Sequence, residues 1–187
     1  MLRTLPQMQD LKLPARLMGI GVFTLVTVVA ARISIPMDPV PFTLQPLAAL
    51  LAGMILGARD GALSQLIYVG LIAIGLPLDA NMLGQAALFG PTGGYLIGFI
   101  AAAFVSGWLV EHGANRTWQR WLAGVAGIAV LYVLGVSWLA ISRGLPLNTA
   151  ISAGALPFLL PDLAKAFIAA ALAEGGRALM MRGTGRG

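Results

Sequence analysis

Asp162 and Lys165 stand three residues apart inside the last long apolar run of the chain, in the stretch Pro161-Asp162-Leu163-Ala164-Lys165. At that spacing an acid and a base share one helix face and partly offset each other's charge. An ionisable side chain at membrane depth costs about 2.5 to 3.5 kcal/mol on insertion scales, so the pair is expected to face a partner, a cavity or a bound molecule. The bland alternative has Asp162 capping a helix start behind Pro161 while Lys165 snorkels outward. Bond-breaking chemistry is poorly served by the rest of the chain. The single histidine, His112, falls in the polar segment 111–120, and there is no cysteine to act as nucleophile or metal ligand or to form a disulfide. No Gly-x-x-x-x-Gly-Lys-Ser/Thr run cradles a nucleotide. The reading is therefore of a protein that is not an enzyme, with no catalytic residue and no resident metal or cofactor.

The elements that must position the pair are apolar. Hydrophobic residues make up 58% of the 187 positions and charged residues only 10%, a composition that belongs in a bilayer rather than in water. The net charge of +5 comes from basic residues scattered between apolar runs, so positive-inside topology explains it better than nucleic-acid binding. The run from Leu17 to Ile35 is long for a signal peptide and is read as a retained first helix. Four prolines between Pro36 and Pro46 then forbid a regular helix and favour a stiff, extended loop.

Two short apolar segments follow, 44–58 and 62–76, separated by Arg59-Asp60-Gly61. Each covers only about 22 Å at helical rise, as a minimal span or as half of a re-entrant hairpin. A second loop, Pro77 to Thr92, carries Asp79, Asn81 and Gln85 and no basic residue. Gly93-Gly94-Tyr95 opens a helix to about Val110, another span runs from Trp121 to Ser142, and a final helix passes through the Asp162 pair to end near Arg177. The expected fold is all-α: one polytopic transmembrane domain over 1–187, six transmembrane helices with the second and third short. A cytoplasmic segment at 1–16 and a mobile tail at 178–187 flank it.

Six spans leave both termini on one face. On that face would lie Arg3, Lys12, Arg16, Arg59, Arg116, Arg120, Arg177, Arg182 and Arg186, against Arg32 and Arg143 opposite, which makes both termini cytoplasmic. The proline-rich loop, the Asn81 loop and the Asp162 end of the last helix then meet at the outer face. Non-helical backbone is tolerated at membrane depth where it lines a cavity. That cavity would have walls of Phe42, Leu44, Leu83, Phe89 and Tyr95, and polar groups from Thr43, Gln45, Asn81 and Gln85, a mixture suited to a small organic molecule. Small residues at every fourth position, Ala49-Gly53-Gly57-Gly61 and Gly90-Gly94-Gly98-Ala102-Ser106, predict faces for close helix packing. The glycines around Gly93 and Gly94 also offer backbone N–H groups to an anion at a helix N-terminus. A stand-alone ion-coupled carrier or channel using Asp162 and Lys165 remains the alternative of a different class.

Pro39-Val40-Pro41-Phe42-Thr43-Leu44-Gln45, then Phe89-Gly90-Pro91-Thr92-Gly93-Gly94-Tyr95-Leu96-Ile97-Gly98-Phe99, then Pro161-Asp162-Leu163-Ala164-Lys165 resemble, in order and spacing, the successive signatures of the BioY family. These are biotin-specific S components of energy-coupling factor (ECF) transporters. The resemblance implies a six-helix substrate-capture subunit of the bacterial cell membrane, binding biotin in an outward-facing pocket. It also implies a transmembrane coupling protein and two ATPase subunits as partners. Thr43 and Gln45 would belong to the proline-loop wall, Asn81 and Gln85 to the second loop, Tyr95 to the next helix, and Asp162 and Lys165 would be the polar anchor for the ureido ring. Where some relatives carry an arginine before the Gly-Gly-Tyr motif, this chain reads Leu88-Phe89-Gly90-Pro91-Thr92. The biotin carboxylate would then fall to Lys165 and the backbone donors of Gly93 and Gly94, ahead of Arg32. An S component for another vitamin is the lesser alternative within the class.

Overall fold

The buried centre of the fold is a helix rich in small residues. In the computed structural model, which describes residues 13–114 and 116–184 with side chains to Gly175, α1 covers Leu13–Arg32 and is followed by β1 (Ser34–Ile35) and β2 (Phe42–Thr43). Then come α2 (Gln45–Leu56), α3 (Ala58–Ala73), the short α4 (Ala86–Phe89), α5 (Gly93–Glu111), α6 (Thr117–Arg143) and α7 (Leu147–Gly154). A 3-10 turn, Leu156–Phe158, leads into α8 (Leu159–Thr184). Arg3, Lys12, Asn115 and Arg186 lie outside the described residues, as do most of the N-terminal segment 1–16 and the last residues of the tail expected at 178–187. The side chains of Arg177 and Arg182 lie outside them too.

Among the described residues, four stretches are long and apolar enough to cross a membrane: Leu13–Arg32, Gly93–Glu111, Thr117–Arg143 and Leu147–Gly175. The protein is therefore mostly helical and multi-pass, as its composition requires. The all-α expectation needs one small correction. Within the proline-rich loop, Ser34 pairs with Thr43 and Ile35 with Phe42 in a two-residue antiparallel ladder. That ladder folds the loop back over the end of α1.

α5 is the helix that the others surround, and its window is 61% buried against 22% for α1. The reason is its fourth-position stripe. A Cβ on Gly94 would meet the Leu134 carbonyl oxygen at 2.5 Å, so α6 approaches the stripe backbone to backbone, and a Cβ on Gly107, one position beside the stripe, would meet the Gly53 carbonyl of α2 at 2.7 Å. α2 and α3 touch in the same way, since a Cβ on Gly61 would lie 2.7 Å from the Gly53 Cα.

The break between α2 and α3 falls at Gly57, not at Arg59-Asp60-Gly61. Gly57 takes a φ of 90°, a conformation that favours glycine, and thereby ends one helix and starts the next. The Ala58 N–H at the new start is capped by Glu111 Oε1 at 2.6 Å. The polar triplet sits in the first turns of α3, because Asp60 is buried there by Arg16. The Arg16 Nε and Nη2 groups each donate to one Asp60 carboxylate oxygen at 2.8 Å.

α1 is held to α3 by polar contacts along its length. Beyond Arg16 and Asp60, Thr24 Oγ1 donates to the Ser64 carbonyl at 3.0 Å and Gln65 Nε2 donates to Thr27 Oγ1 at 3.0 Å. At its far end Arg32 reaches the loop after α3. The segment after α6 contains α7, whose Gly154 carbonyl accepts the Tyr95 hydroxyl. α8 runs past the end expected near Arg177.

Candidate ligand-binding site

The two loops and the Asp162 end of α8 converge on one cavity. Its first wall is Val40, Pro41, Thr43, Gln45 and Pro46, and its second is Asp79, Ala80 and Asn81. α5 contributes Thr92, Tyr95, Leu96 and Phe99, α6 contributes Leu131 and Tyr132, and Phe158, Asp162 and Lys165 close the remaining side. The empty space amounts to about 570 Å³ when the open mouth is counted with it.

Asp162 and Lys165 are 3% and 4% exposed, so neither caps nor snorkels. The Lys165 ammonium donates to Asp162 Oδ1 at 2.7 Å and to the Thr43 carbonyl at 2.7 Å. It also stands 3.9 Å over the Phe42 ring, a cation–π contact. The other carboxylate oxygen, Asp162 Oδ2, accepts a hydrogen bond from the Tyr132 hydroxyl at 2.7 Å. An ion pair removed from water in this way persists because each charge is hydrogen-bonded on more than one side.

Polar contacts run from this pair to the second loop. The Gln45 N–H donates to Thr43 Oγ1 at 3.3 Å, Gln45 Nε2 donates to the Tyr68 hydroxyl at 2.7 Å, and that hydroxyl donates to the Leu78 carbonyl at 3.1 Å. The loop itself is built on Asp79, whose Oδ1 accepts the Gly84 N–H at 2.7 Å and whose Oδ2 accepts the Asn81 N–H at 3.1 Å. From α1, Arg32 donates to the Asp79 carbonyl at 3.2 Å and to the Pro77 carbonyl. Asn81 is thereby held at the cavity wall.

Six of the expected site residues come together here: Thr43, Gln45, Asn81, Tyr95, Asp162 and Lys165. Gln85 does not join them. Gly84 turns the chain with a φ of 58°, and Gln85 beyond it is exposed. Leu83 and Phe89, expected as walls, point outward at 53% and 72% exposure. The apolar lining comes instead from Val40, Leu96, Phe99, Leu131 and Phe158. Gly93 and Gly94 also lie outside the lining. The Gly93 N–H donates to the Gly90 carbonyl at 3.2 Å, and a Cβ on Gly94 would meet the Leu134 carbonyl oxygen at 2.5 Å. These glycines make room for Trp138, whose Nε1 donates to the Gly90 carbonyl at 2.9 Å. Tyr95 reaches across the cavity edge to α7, donating to the Gly154 carbonyl at 2.8 Å. Tyr132 and Thr92 join the lining without having been expected there, and Asp79, expected in the second loop, lines it as well.

Fold and site together define a multi-pass helical membrane protein built round one small, mostly apolar pocket with a buried acid–base pair. Within that class the chain belongs to the BioY family, whose model matches residues 6–182. It is 47% identical over 159 residues to the biotin transporter BioY of Thermotoga maritima, covering 84% of this chain and 93% of that one. It is 42% identical over 158 residues to the biotin transporter BioY of Rhizobium etli, covering 80% and 82%. The fold superimposes with a TM-score of 0.79, at 26% identity, on a crystal structure of the S-component for biotin from an ECF-type ABC transporter, covering 89% of this chain and 90% of that chain. The curated relatives are named as transporters, a role without catalysis.

Proposed function

We propose that this chain captures biotin and carries it across the membrane as the substrate-binding subunit of an ECF-type uptake system. The observation that carries the reading is the buried Asp162–Lys165 pair facing a cavity otherwise walled by apolar side chains. A ureido ring offers two N–H donors and one carbonyl acceptor. An ionised carboxylate has about four acceptor sites, of which Lys165 and Tyr132 use two, so Asp162 retains capacity for ring N–H groups. The ammonium supplies the donor for the ring carbonyl. Leu96, Phe99 and Phe158 suit the thioether ring and the aliphatic chain. Asn81 and Thr92 lie nearer the loops and are assigned to the chain's polar end, with Thr43, Gln45 and Tyr95 completing the wall. Gln85, Gly93 and Gly94 are left out of the assignment.

The same reading makes α2 and α3 two short spans meeting at Gly57, which brings the total to six and leaves both termini in the cytoplasm of a bacterial cell. α2 with 12 residues and α3 with 16 would span about 18 and 24 Å at helical rise. A transmembrane coupling protein and two ATPase subunits supply the energy that the chain itself has no nucleotide motif to capture. No cofactor is needed, since biotin is the cargo.

The test is calorimetric titration of purified, ligand-stripped protein in detergent with biotin, with thiamine and riboflavin as controls. Saturable binding of biotin alone is the expected result. No heat with any of the three, from protein shown to be folded, overturns the assignment and leaves the ion-coupled reading of Asp162 and Lys165 in front.

A further inference from the structure

The hydroxyl of Tyr132 is the cavity's unassigned polar group. It comes from α6 and donates to Asp162 Oδ2 at 2.7 Å, while Lys165 reaches the Thr43 carbonyl. Lys165 holds Oδ1 from within α8. The two donors grip the carboxylate from different helices and so fix its rotation, which a single partner would leave free. A second bond between the same helices, Trp121 Nε1 to the Leu163 carbonyl at 3.1 Å, anchors the backbone beside Asp162 without touching the carboxylate. Helix packing thus has its own tie, and the Tyr132 hydroxyl is spent on the acid.

We propose that Tyr132 is a positioning and specificity residue, holding the Asp162 carboxylate oriented as an acceptor so that the pocket selects a cyclic urea bearing free N–H groups. The inference rests on the biotin reading and deepens it. A tyrosine hydroxyl that donates to the acid cannot donate the same proton to the ligand, and the carboxylate it holds has only acceptor sites. A ring that lacks one N–H leaves a buried acceptor without its partner, which is the basis for strong rejection of near-isosteric ligands.

The experiment titrates the full-length chain in detergent with biotin and with a biotin methylated on one ureido nitrogen. Wild-type protein is expected to prefer biotin by about tenfold or more, the equivalent of one hydrogen bond to a charged group. Tyr132→Phe keeps the ring and its packing. It is expected to weaken biotin by about tenfold while changing the methylated ligand much less, so that discrimination collapses. In an Asp162→Asn background the same substitution is expected to add no further loss, because its effect runs through the carboxylate. Tyr132→Gln, which keeps a donor, is expected to regain part of the discrimination. Equal losses for both ligands, the same loss with and without Asp162, or no rescue by glutamine would overturn the inference while leaving biotin capture standing. Absence of biotin binding to the wild-type chain would overturn the functional reading, and this inference with it.

Discussion

The Lys165 ammonium donates to the main-chain carbonyl of Thr43 at 2.7 Å, across 122 positions of sequence. One side chain therefore ties the last long helix to the proline-rich loop and neutralises the buried acid beside it. Breaking a buried ion pair from one side leaves a charge uncompensated, at a cost of about 3–5 kcal/mol, whereas removing both members is far milder. Lys165→Met and Asp162→Asn are each expected to lower the melting temperature in detergent, and the double variant is expected to melt closer to wild type than either. All three are expected to lose biotin affinity by about ten- to a hundredfold, the range for charged hydrogen bonds. Thermal scans and calorimetric titration on monodisperse protein check both halves. Altered stability with undiminished affinity would make the pair a structural device only.

Arg16 and Asp60 form a second, bidentate pair at the other end of α1, with the arginine side chain 33% exposed and the aspartate 5%. The asymmetry sets the prediction. Arg16→Ala strands a buried carboxylate, while Asp60→Asn leaves a guanidinium that can still reach water. Arg16→Ala is expected to lower the melting temperature in detergent, and Asp60→Asn to lower it less. Biotin affinity is expected to be unchanged in both, since the pair lies at the starts of α1 and α3 and the cavity beyond their ends. A fall in affinity matching that of the Lys165 variants would show the two ends of α1 to be coupled.

Glycines in the same bundle should differ sharply in tolerance. Gly61→Ala puts a Cβ 2.7 Å from the Gly53 Cα, against backbone that cannot give way, whereas a Cβ on Gly70 meets nothing within 4 Å. Overpacking of this kind costs about 1–3 kcal/mol, and alanine in place of glycine inside a helix returns roughly 0.5–1 kcal/mol. Gly61→Ala is expected to melt lower and Gly70→Ala at or slightly above wild type. Size-exclusion profiles and thermal scans measure the contrast, and equal behaviour of the two would refute the close approach of α2 and α3.

What the sequence made legible followed from how unusual each signal was. An acid and a base inside an apolar run stand out whatever the fold, and Asp162 and Lys165 are buried together as their spacing implied. Prolines at 36–46 break the helix pattern and place Thr43 before α2, which Gln45 opens, and both line the cavity as the family resemblance implies. Tyr132 was harder, because a tyrosine in an apolar span looks like packing and its partner lies 30 positions away. Gln85 and Phe89 fall outside the lining because loop direction depends on left-handed residues at Met82 and Gly84, which composition does not reveal. The α2–α3 break was misplaced for a related reason. Charges look like a boundary, but Asp60 is buried by an arginine from α1, and the left-handed Gly57 makes the turn.

The second loop forms one wall of the cavity through Asp79, Ala80 and Asn81. Arg32, at the end of α1, donates to the carbonyls of Pro77 and Asp79, while the Asp79 side chain accepts the N–H groups of Asn81 and Gly84. Arg32 thus lies outside the cavity yet holds the backbone that presents Asn81 to it. Removing a charged donor from this loop costs about 1.5–3 kcal/mol of its order, and a loop that opens more often releases a ligand faster. Arg32→Gln is therefore expected to raise the biotin dissociation rate by about tenfold with a smaller change in the association rate, since most affinity differences between related complexes reside in dissociation. Asp79→Asn, which puts an NH₂ group where an N–H acceptor is needed, is expected to act in the same direction. Stopped-flow displacement with excess unlabelled biotin reads the rate directly. If Arg32→Gln instead abolished binding while Asp79→Asn left it intact, the guanidinium would be contacting the ligand itself rather than holding the loop.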